Sequence, residues 1–378
     1  MQASDTSIRK PSNPFTPIFG KVPPYFAGRE SIIDEISSVF QDPDNNPDRC
    51  TLFVGARGTG KTALLTHLGR IAEASGWICA DVTASNDMLE EIRAQVERAA
   101  QHLIYKEDQR TITGLNIAGI GGISWSKENH RPETWRITMS DLLEKLSEMH
   151  CGLLITVDEV DPDLEAMERL VTTYQHFVRE DRKVALFMAG LPHRINSLVS
   201  GDSTSFLRRA ARYQLGSIPR YEVVEAFRLT VESGGKTIDD GALAYAADAI
   251  EGFPYLFQLV GYRSWNASSD HGAISLEHVQ QGAKLAREEL ATRIFDATYS
   301  ELSEHDKAFL IAMSKDEAQS KRSDLMQRLQ KPSSHITVYK KRLIEQGIIE
   351  ETPGGAFRFA LPGFKEYIRG QARDEASD

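Results

Sequence analysis

The sequence predicts an α/β protein, a parallel sheet with helices on both faces, followed by an α-helical lid and a winged helix-turn-helix domain. Two observations carry the α/β prediction. Short apolar runs alternate with stretches of helical period between residues 51 and 215, the pattern of repeated strand–helix units. A glycine-rich turn follows the first apolar run directly and leads into a helix. The predicted strands are 51–54, 77–82, 153–157, 184–189 and 213–215.

Five segments follow from the pattern along the chain. Residues 1–24 predict an extended lead-in, because prolines recur there without a helical period. Residues 25–216 form the predicted α/β domain, with a glycine-turned hairpin at 111–126. Residues 217–299 are helical in pattern only, which predicts the lid. Residues 300–369 show three helices and two short strands, the order of a winged helix, and 370–378 are expected to be a disordered acidic tail.

Composition bounds the class of protein. The formal net charge of −10 argues against nucleic-acid binding by the whole surface, and no apolar run is long enough for a membrane helix. Residues 1–21 lack the apolar core typical of a signal peptide. The three cysteines, Cys50, Cys79 and Cys151, are widely spaced, which argues against a disulfide framework or a zinc site. We therefore expect a cytoplasmic protein.

The octet at 55–62 fits the phosphate-binding pattern GxxxxGK[ST], between a predicted strand and a predicted helix. Glycines let successive backbone N–H groups face an anion, and the helix N-terminus favours negative charge. Lys61 is expected to reach the β- and γ-phosphates of ATP, and the Thr62 hydroxyl to bind Mg²⁺. The expected contacts of ATP or ADP here are Gly55, Ala56, Arg57, Gly58, Thr59, Gly60, Lys61, Thr62 and Ala63.

Two adjacent acids complete the predicted site. Asp158 and Glu159 end an apolar strand, and both lie almost a hundred residues beyond Lys61; the hairpin at 111–126 accounts for part of that distance. Asp158 is expected in the metal shell, and Glu159 is the candidate base that polarises the attacking water. In the alternative interpretation, Glu159 only caps the following helix.

With these motifs, the chain from residue 23 to 367 resembles the AAA+ ATPases. Within this family it resembles the branch that joins replication-initiator ATPases to the bacterial STAND-type and transposition-associated ATPases. The resemblance also rests on Phe-Ala-Gly-Arg-Glu at 26–30, Met-Ala-Gly-Leu-Pro at 188–192 and Gly-Phe-Pro-Tyr at 252–255. It implies that Phe26, Gly28 and Pro254 lie near the base or ribose. Ordinary packing is the alternative for each.

The resemblance further implies an arginine finger, a cation that acts on the γ-phosphate of a neighbouring subunit. Arg208 and Arg209 are the candidates, the alternative being a solvated or salt-bridged helix end. Two departures from the family favour slow hydrolysis and switch-like behaviour. The fourth strand ends without its usual polar residue, and Tyr255 stands where initiators carry a lid arginine, with Arg263 a weak substitute.

The segment 321–342, which holds the second predicted helix of the winged helix and most of the third, is locally basic, with seven basic residues against one acidic. A basic helix of this kind suits duplex DNA. A protein-docking winged helix with a solvated basic face is the alternative. The candidate DNA contacts are His335, Thr337, Tyr339, Lys340, Lys341, Arg342 and, in the wing, Arg358.

Two functional hypotheses follow. In the first, the protein is a Mg²⁺-dependent ATPase that uses ATP to form a homo-oligomer on duplex DNA. In the second, it is a signalling or defence switch whose winged helix docks on an unidentified protein partner. The hairpin at 111–126 is either an oligomer or DNA contact, or a sheet edge without a role of its own.

Overall fold

The computed structural model describes residues 12–18, 20–43, 45–110, 132–268, 272–352 and 354–374. The predicted hairpin at 111–126 lies outside these ranges. Within them, no helix has both the length and the apolar character needed to cross a bilayer. All three cysteines are free thiols.

A five-stranded, all-parallel sheet forms the centre of the α/β region, in the order β2-β3-β4-β1-β5. Each strand was predicted to within two residues at either end. The strands are β1 (Cys50–Val54), β2 (Ile78–Thr83), β3 (Leu153–Asp158), β4 (Val184–Gly190) and β5 (Ala211–Gln214). β3 and β4 are buried along their whole length, as expected of central strands covered on both faces.

Helices cover both faces of the sheet. They are α1 (Glu30–Ser37), α2 (Lys61–Ala74), α3 (Met88–Arg110), α4 (Pro132–Glu148), α5 (Glu165–Arg179) and α6 (Pro192–Ser200). The carboxyl ends of parallel strands meet at one edge, so the turn after β1 and the end of β3 lie together, with β4 between the two strands. This geometry brings the two predicted motifs into one site.

Five helices follow the sheet and pack as a helical region (residues 220–300). They are α7 (Arg220–Ser233), α8 (Asp240–Ile250), α9 (Pro254–Ala267), α10 (Leu276–Leu290) and α11 (Asp296–Ser300). A π-helical turn, Ala291–Phe295, joins the last two. Residues 12–18, which we call the N-terminal strap, lie on this region: Phe15 is buried in its core. Residues 12–18 of the predicted lead-in therefore pack against the helical region.

The C-terminal region (residues 304–374) has the predicted order of three helices and a two-stranded antiparallel sheet, and adds a helix. The elements are α12 (Glu304–Ser314), α13 (Arg322–Leu329), α14 (Ser333–Glu345), β6 (Ile349–Glu351), β7 (Phe357–Phe359) and α15 (Phe364–Asp374). Pro332 is the N-cap residue of α14, and the Ser333 hydroxyl accepts a hydrogen bond from Arg322. α15 extends to Asp374, into the segment predicted as a tail.

The helical and C-terminal regions share one apolar core. Phe295, on the π-helical turn, has its ring centroid 5.0 Å from that of Phe364 in α15. Tyr299 and Tyr367 meet edge to face across the same boundary at 5.9 Å. The α/β region, by contrast, has its own clusters on the two faces of its sheet.

Candidate functional site

The glycine-rich octet forms a tight turn between β1 and α2. Gly58 and Gly60 adopt positive φ angles of 78° and 87°, a conformation that favours glycine. Gly58 also has no room for a side chain, because a Cβ there would lie 2.5 Å from the Phe253 ring. A cavity of about 460 Å³ adjoins the turn. Seven expected nucleotide contacts line it: Arg57, Gly58, Thr59, Gly60, Lys61, Thr62 and Ala63.

Lys61 is held by the backbone of its own turn. Its Nζ donates hydrogen bonds to the carbonyls of Gly55 and Ala56, at 2.9 and 2.7 Å. These two residues support the lysine and are not among those that line the cavity. Burial lowers the pKa of Lys61 to about 8, opposed by the nearby carboxylates of Asp158 and Glu159. Burial thus disfavours the charged form of Lys61, and a bound phosphate group would stabilise that form.

Thr62 and Asp158, the two expected metal ligands, are hydrogen-bonded to each other. The Thr62 hydroxyl donates to Asp158 Oδ2 at 2.5 Å, and Oδ1 of the same carboxylate accepts from the Glu159 N–H at 2.9 Å. Hard oxygen donors of this kind suit Mg²⁺. The described residues contain no cluster of three His, Cys, Asp or Glu side chains that could hold a metal ion alone. A magnesium ion here would therefore also need phosphate and water ligands, which is its usual preference.

Glu159 has a strained backbone and an exposed side chain. Its φ of 53° lies in the left-handed region, which costs a non-glycine residue on the order of 1 kcal/mol or more. Its side chain lines the cavity. The helix-cap alternative is wrong, because α5 begins only at Glu165 and Leu164 is its N-cap residue. The geometry leaves this carboxylate available to orient a water.

The apolar part of the cavity lies between the α/β and helical regions. Phe26 and Pro254, which the resemblance places near the base or ribose, both line it. Gly28 does not: it has a φ of 68°, and a Cβ there would lie 2.9 Å from Ile218 Cγ2. Gly28 therefore allows close packing of the segment before α1 against the helical region.

Sequence reasoning missed two parts of this cavity. Arg293, on the π-helical turn, lines it and pairs with Glu289 at 2.8 Å. Arg263, the substitute that the sequence offered, is not among the lining residues and donates to the same Glu289 at 2.9 Å through Nε. The second part is the N-terminal strap, whose Thr16, Pro17 and Ile18 line the cavity. A π-helical turn gives no sequence signal, so Arg293 could not have been singled out.

The arginine-finger candidates lie away from this cavity. Arg208 and Arg209 end a 3₁₀ turn, Ser205–Arg209, immediately before β5. Both side chains are exposed. At the end of β4, the buried strand carries no polar side chain, as the sequence predicted.

The candidate DNA contacts of the C-terminal region divide into two groups. His335, Thr337, Lys341 and Arg358 are exposed. The other three candidate DNA contacts are buried or paired with acidic residues. Tyr339 is buried, and Lys340 pairs with Glu351 at 2.6 Å. Arg342 binds the buried Asp306, with Nε 3.0 Å from Oδ1. The exposed basic face is thus smaller than the sequence predicted.

The C-terminal end of α14 contacts the α/β region beside the phosphate-binding turn. A Cβ at Gly347 would lie 3.2 Å from that of Ala56, and Arg57 pairs with Glu301 at 3.5 Å. His193, in α6, bonds through Nδ1 to the carbonyl of Glu345. The turn therefore contacts the C-terminal side of the molecule directly.

Comparison with known families agrees with this geometry. Residues 44–199 match the family described as AAA domain. The chain carries an AAA domain. Residues 292–368 match a second family, described as Domain of unknown function (DUF8462), which spans the π-helical turn and most of the C-terminal region. No curated protein matches the chain.

Solved structures show the same fold over nearly the whole chain. The Walker-type ATPase PABY2304 of Pyrococcus abyssi aligns with a TM-score of 0.67 at 14% identity, covering 91% of this chain and 96% of that one. Cdc6p from Pyrobaculum aerophilum gives 0.51 at 16% identity, covering 95% and 97%. The ADP form of the Aeropyrum pernix ORC2 protein gives 0.54 at 13% identity, covering 96% and 98%. At 13–16% identity these similarities show the fold alone, and they confirm the predicted fold class, a parallel α/β sheet followed by helices.

Proposed function

We propose that this protein is a slow ATPase that binds ATP with Mg²⁺ in the cavity between its AAA domain and its helical region. The observation that carries the proposal is the convergence of Lys61, Thr62 and Asp158 at one cavity, with the hydroxyl and carboxylate 2.5 Å apart. In such a site, Lys61 would neutralise phosphate charge, and Mg²⁺ would be held by the other two side chains. Glu159 would orient the attacking water.

Slow turnover is supported by two features. The buried end of β4 offers no polar side chain to help position the water. In the helical region, Arg263 and Arg293 both pair with Glu289, so this carboxylate offsets part of the charge that either could offer a phosphate. We expect a turnover number below about 10 s⁻¹, the median for enzymes.

Assembly of several copies is the second part of the proposal. Arg208 and Arg209 are exposed beside β5 and do not line the cavity of their own chain, a position suited to a neighbouring subunit's γ-phosphate. The ATP of one copy would then be completed by a cation of the next.

The third part is duplex DNA as the partner that the C-terminal region binds. His335, Thr337 and Lys341 lie on the exposed side of α14, whose inward side is set by Ile336, Tyr339 and Leu343. Arg358 lies in the adjacent two-stranded wing and could meet a phosphate, as such wings do when a helix occupies the major groove.

One observation favours a second candidate function, a switch whose C-terminal region docks on protein. Lys340, Arg342 and Arg358 all pair with acidic residues of the same region, at Glu351, Asp306 and Glu350 respectively. Because these pairs neutralise much of the basic surplus, the exposed face of α14 would suit a mixed polar surface as well as a polyanion.

The test is steady-state ATP hydrolysis by the full chain, with and without duplex DNA, at several salt concentrations. Under the DNA hypothesis, duplex DNA raises the rate and the stimulation falls steeply with salt. Hydrolysis that DNA does not change would overturn the DNA part and favour the protein-docking switch. An absence of any hydrolysis above that of Glu159→Gln would overturn the ATPase itself.

A further inference from the structure

The N-terminal strap is docked on α9 by its own set of contacts. Phe15 is 2% exposed, and its ring centroid lies 5.0 Å from that of Phe227. The Asn13 side chain donates to the Tyr262 carbonyl at 3.1 Å. Apolar burial together with specific hydrogen bonds indicates that this segment binds at a defined position on the helical region.

Gly261 leaves the space that Phe15 occupies. It lies inside α9, where glycine is unfavourable for the helix. A Cβ at Gly261 would lie only 2.1 Å from two carbons of the Phe15 ring. The absence of a side chain at Gly261 therefore allows the strap to dock, since any larger residue would displace Phe15.

Beyond Phe15 the strap forms a wall of the nucleotide cavity, through Thr16, Pro17 and Ile18. Farther along, a Cβ at Gly20 would lie 3.8 Å from Thr62 Cγ2. The segment thus runs from the helical region to the start of α2. Since the phosphates belong at the glycine-rich turn, this wall faces the part of the nucleotide that lies beyond them.

Two polar groups on this wall have unused hydrogen-bonding capacity. Gln258 lines the cavity, and its Oε1 accepts from the Thr16 N–H at 2.8 Å. This bond fixes the amide, so the side-chain NH₂ of Gln258 remains as a donor. The Thr16 hydroxyl is closed off from solvent and has no partner within the described residues. Thr16 itself lines the cavity, so a ligand group that reached this hydroxyl would relieve the cost of leaving it unpaired.

We propose that the N-terminal strap and Gln258 select the base of the nucleotide and favour adenine; this rests on the proposed nucleotide site. The Gln258 amide donates to N1 of adenine, and the Thr16 hydroxyl accepts from the 6-amino group. A 6-oxopurine such as hypoxanthine carries a hydrogen on N1, which would oppose the Gln258 donor. The Thr16 hydroxyl is a donor as well as an acceptor and can bond to either 6-substituent, so the discrimination falls to Gln258, whose amide the strap holds in place through the Thr16 N–H. Phe26 and Pro254 contact the base without distinguishing the two rings.

The test compares the affinities of ATP and inosine triphosphate, each with Mg²⁺, for the full chain. The variants are Gln258→Met, Thr16→Val and Gly261→Ala, the last of which unseats the strap while favouring the helix. Gln281→Met, on the exposed face of α10, is the control. Wild type and the control should favour ATP by about tenfold or more. Gln258→Met and Gly261→Ala should lower that ratio by about 3- to 10-fold, the value of one hydrogen bond, whereas Thr16→Val should weaken the binding of both nucleotides alike.

The outcomes separate the two proposals. A wild type that binds neither nucleotide overturns the proposed function itself. A wild type that binds ATP, but whose preference over inosine triphosphate survives in Gln258→Met and Gly261→Ala, overturns the role of the strap and leaves the ATP site standing. Because Gln258→Met also removes the acceptor of the Thr16 N–H, weaker binding of both nucleotides with an unchanged ratio would show loss of strap docking without base selection and would likewise overturn the proposal.

Discussion

Lys61 lies between two opposing electrostatic influences. Burial disfavours its charged form and lowers its pKa to about 8, while two carboxylates favour that form. From about pH 8 to about 10.4, the ordinary lysine value, the folded chain binds fewer protons at this residue than the unfolded chain. Lys61 therefore makes the free energy of unfolding rise with pH across that range. The fold tolerates this cost at neutral pH, as is common at functional sites.

The same pKa predicts how nucleotide binding depends on pH. Because the phosphates require the protonated amine, ATP affinity should fall by up to tenfold per pH unit above about 8. Calorimetric titration of the full chain between pH 7 and 9.5 measures this. Lys61→Arg, which keeps its charge throughout, should remove the dependence, whereas a profile that is the same in both proteins would contradict the assignment.

The adjacent residues Lys340 and Lys341 make a second prediction at this scale. Lys340 is 17% exposed and paired, and Lys341 is 76% exposed. If duplex DNA binds, Lys341→Ala should weaken binding and lower the slope of log affinity against log salt by about one. Lys340→Ala should leave that slope unchanged, and fluorescence anisotropy at several salt concentrations distinguishes them. Equal effects of the two changes would contradict the exposed face proposed here.

Sequence alone could have separated these lysines only in part. Ile336, Tyr339 and Leu343 follow a helical period and define the buried side of α14, which places Lys340 at its margin and Lys341 opposite. The pairing of Lys340 with Glu351 depends on how β6 folds back, and local pattern contains no such information.

At the scale of elements, one ion pair ties α12 to α14. Asp306 is 2% exposed; it accepts from the Ser303 hydroxyl at 2.7 Å and from Arg342 Nε at 3.0 Å. Asp306→Ala would leave Arg342 without its partner and remove a contact of the N-cap residue. We expect the free energy of unfolding to fall by about 2–3 kcal/mol.

Urea unfolding followed by circular dichroism measures this change. Arg358→Ala is the matched control, because it breaks the exposed pair with Glu350, which should contribute less than about 1 kcal/mol. Similar losses in the two variants would contradict the role given to the buried carboxylate.

Elements with local signals were predictable, and those that depend on distant contacts were not. The five strands are short apolar runs bounded by turns, so their positions followed from the sequence. The N-terminal strap has no such signal: its place depends on Phe15 meeting Gly261, almost 250 residues away in the chain. A glycine in the interior of α9 was the one available hint.

At the scale of the whole molecule, the shared apolar core joins the helical and C-terminal regions into one body. If a bound nucleotide changes the angle between the AAA domain and the helical region, α14 would then move together with the helical region. Phe295→Ala should loosen both regions together, because its ring packs between them.

Hydrogen exchange measured by mass spectrometry tests this coupling. Protection should fall in α9 and in α14 alike, while amides of β1 and β4 keep theirs. Loss of protection in α14 alone would show that the C-terminal region moves independently of the helical region.

The central claim is that the cavity is an ATP-hydrolysing site in which Glu159 acts on the water. The most direct measurement compares wild type with Glu159→Gln in two assays on the same preparations, ATP binding by calorimetry and ATP hydrolysis at saturating ATP. We predict that the ATP affinity of the variant lies within about threefold of that of wild type and that its hydrolysis rate is at least about 100-fold lower. Unchanged hydrolysis, or loss of binding and hydrolysis together, would contradict it.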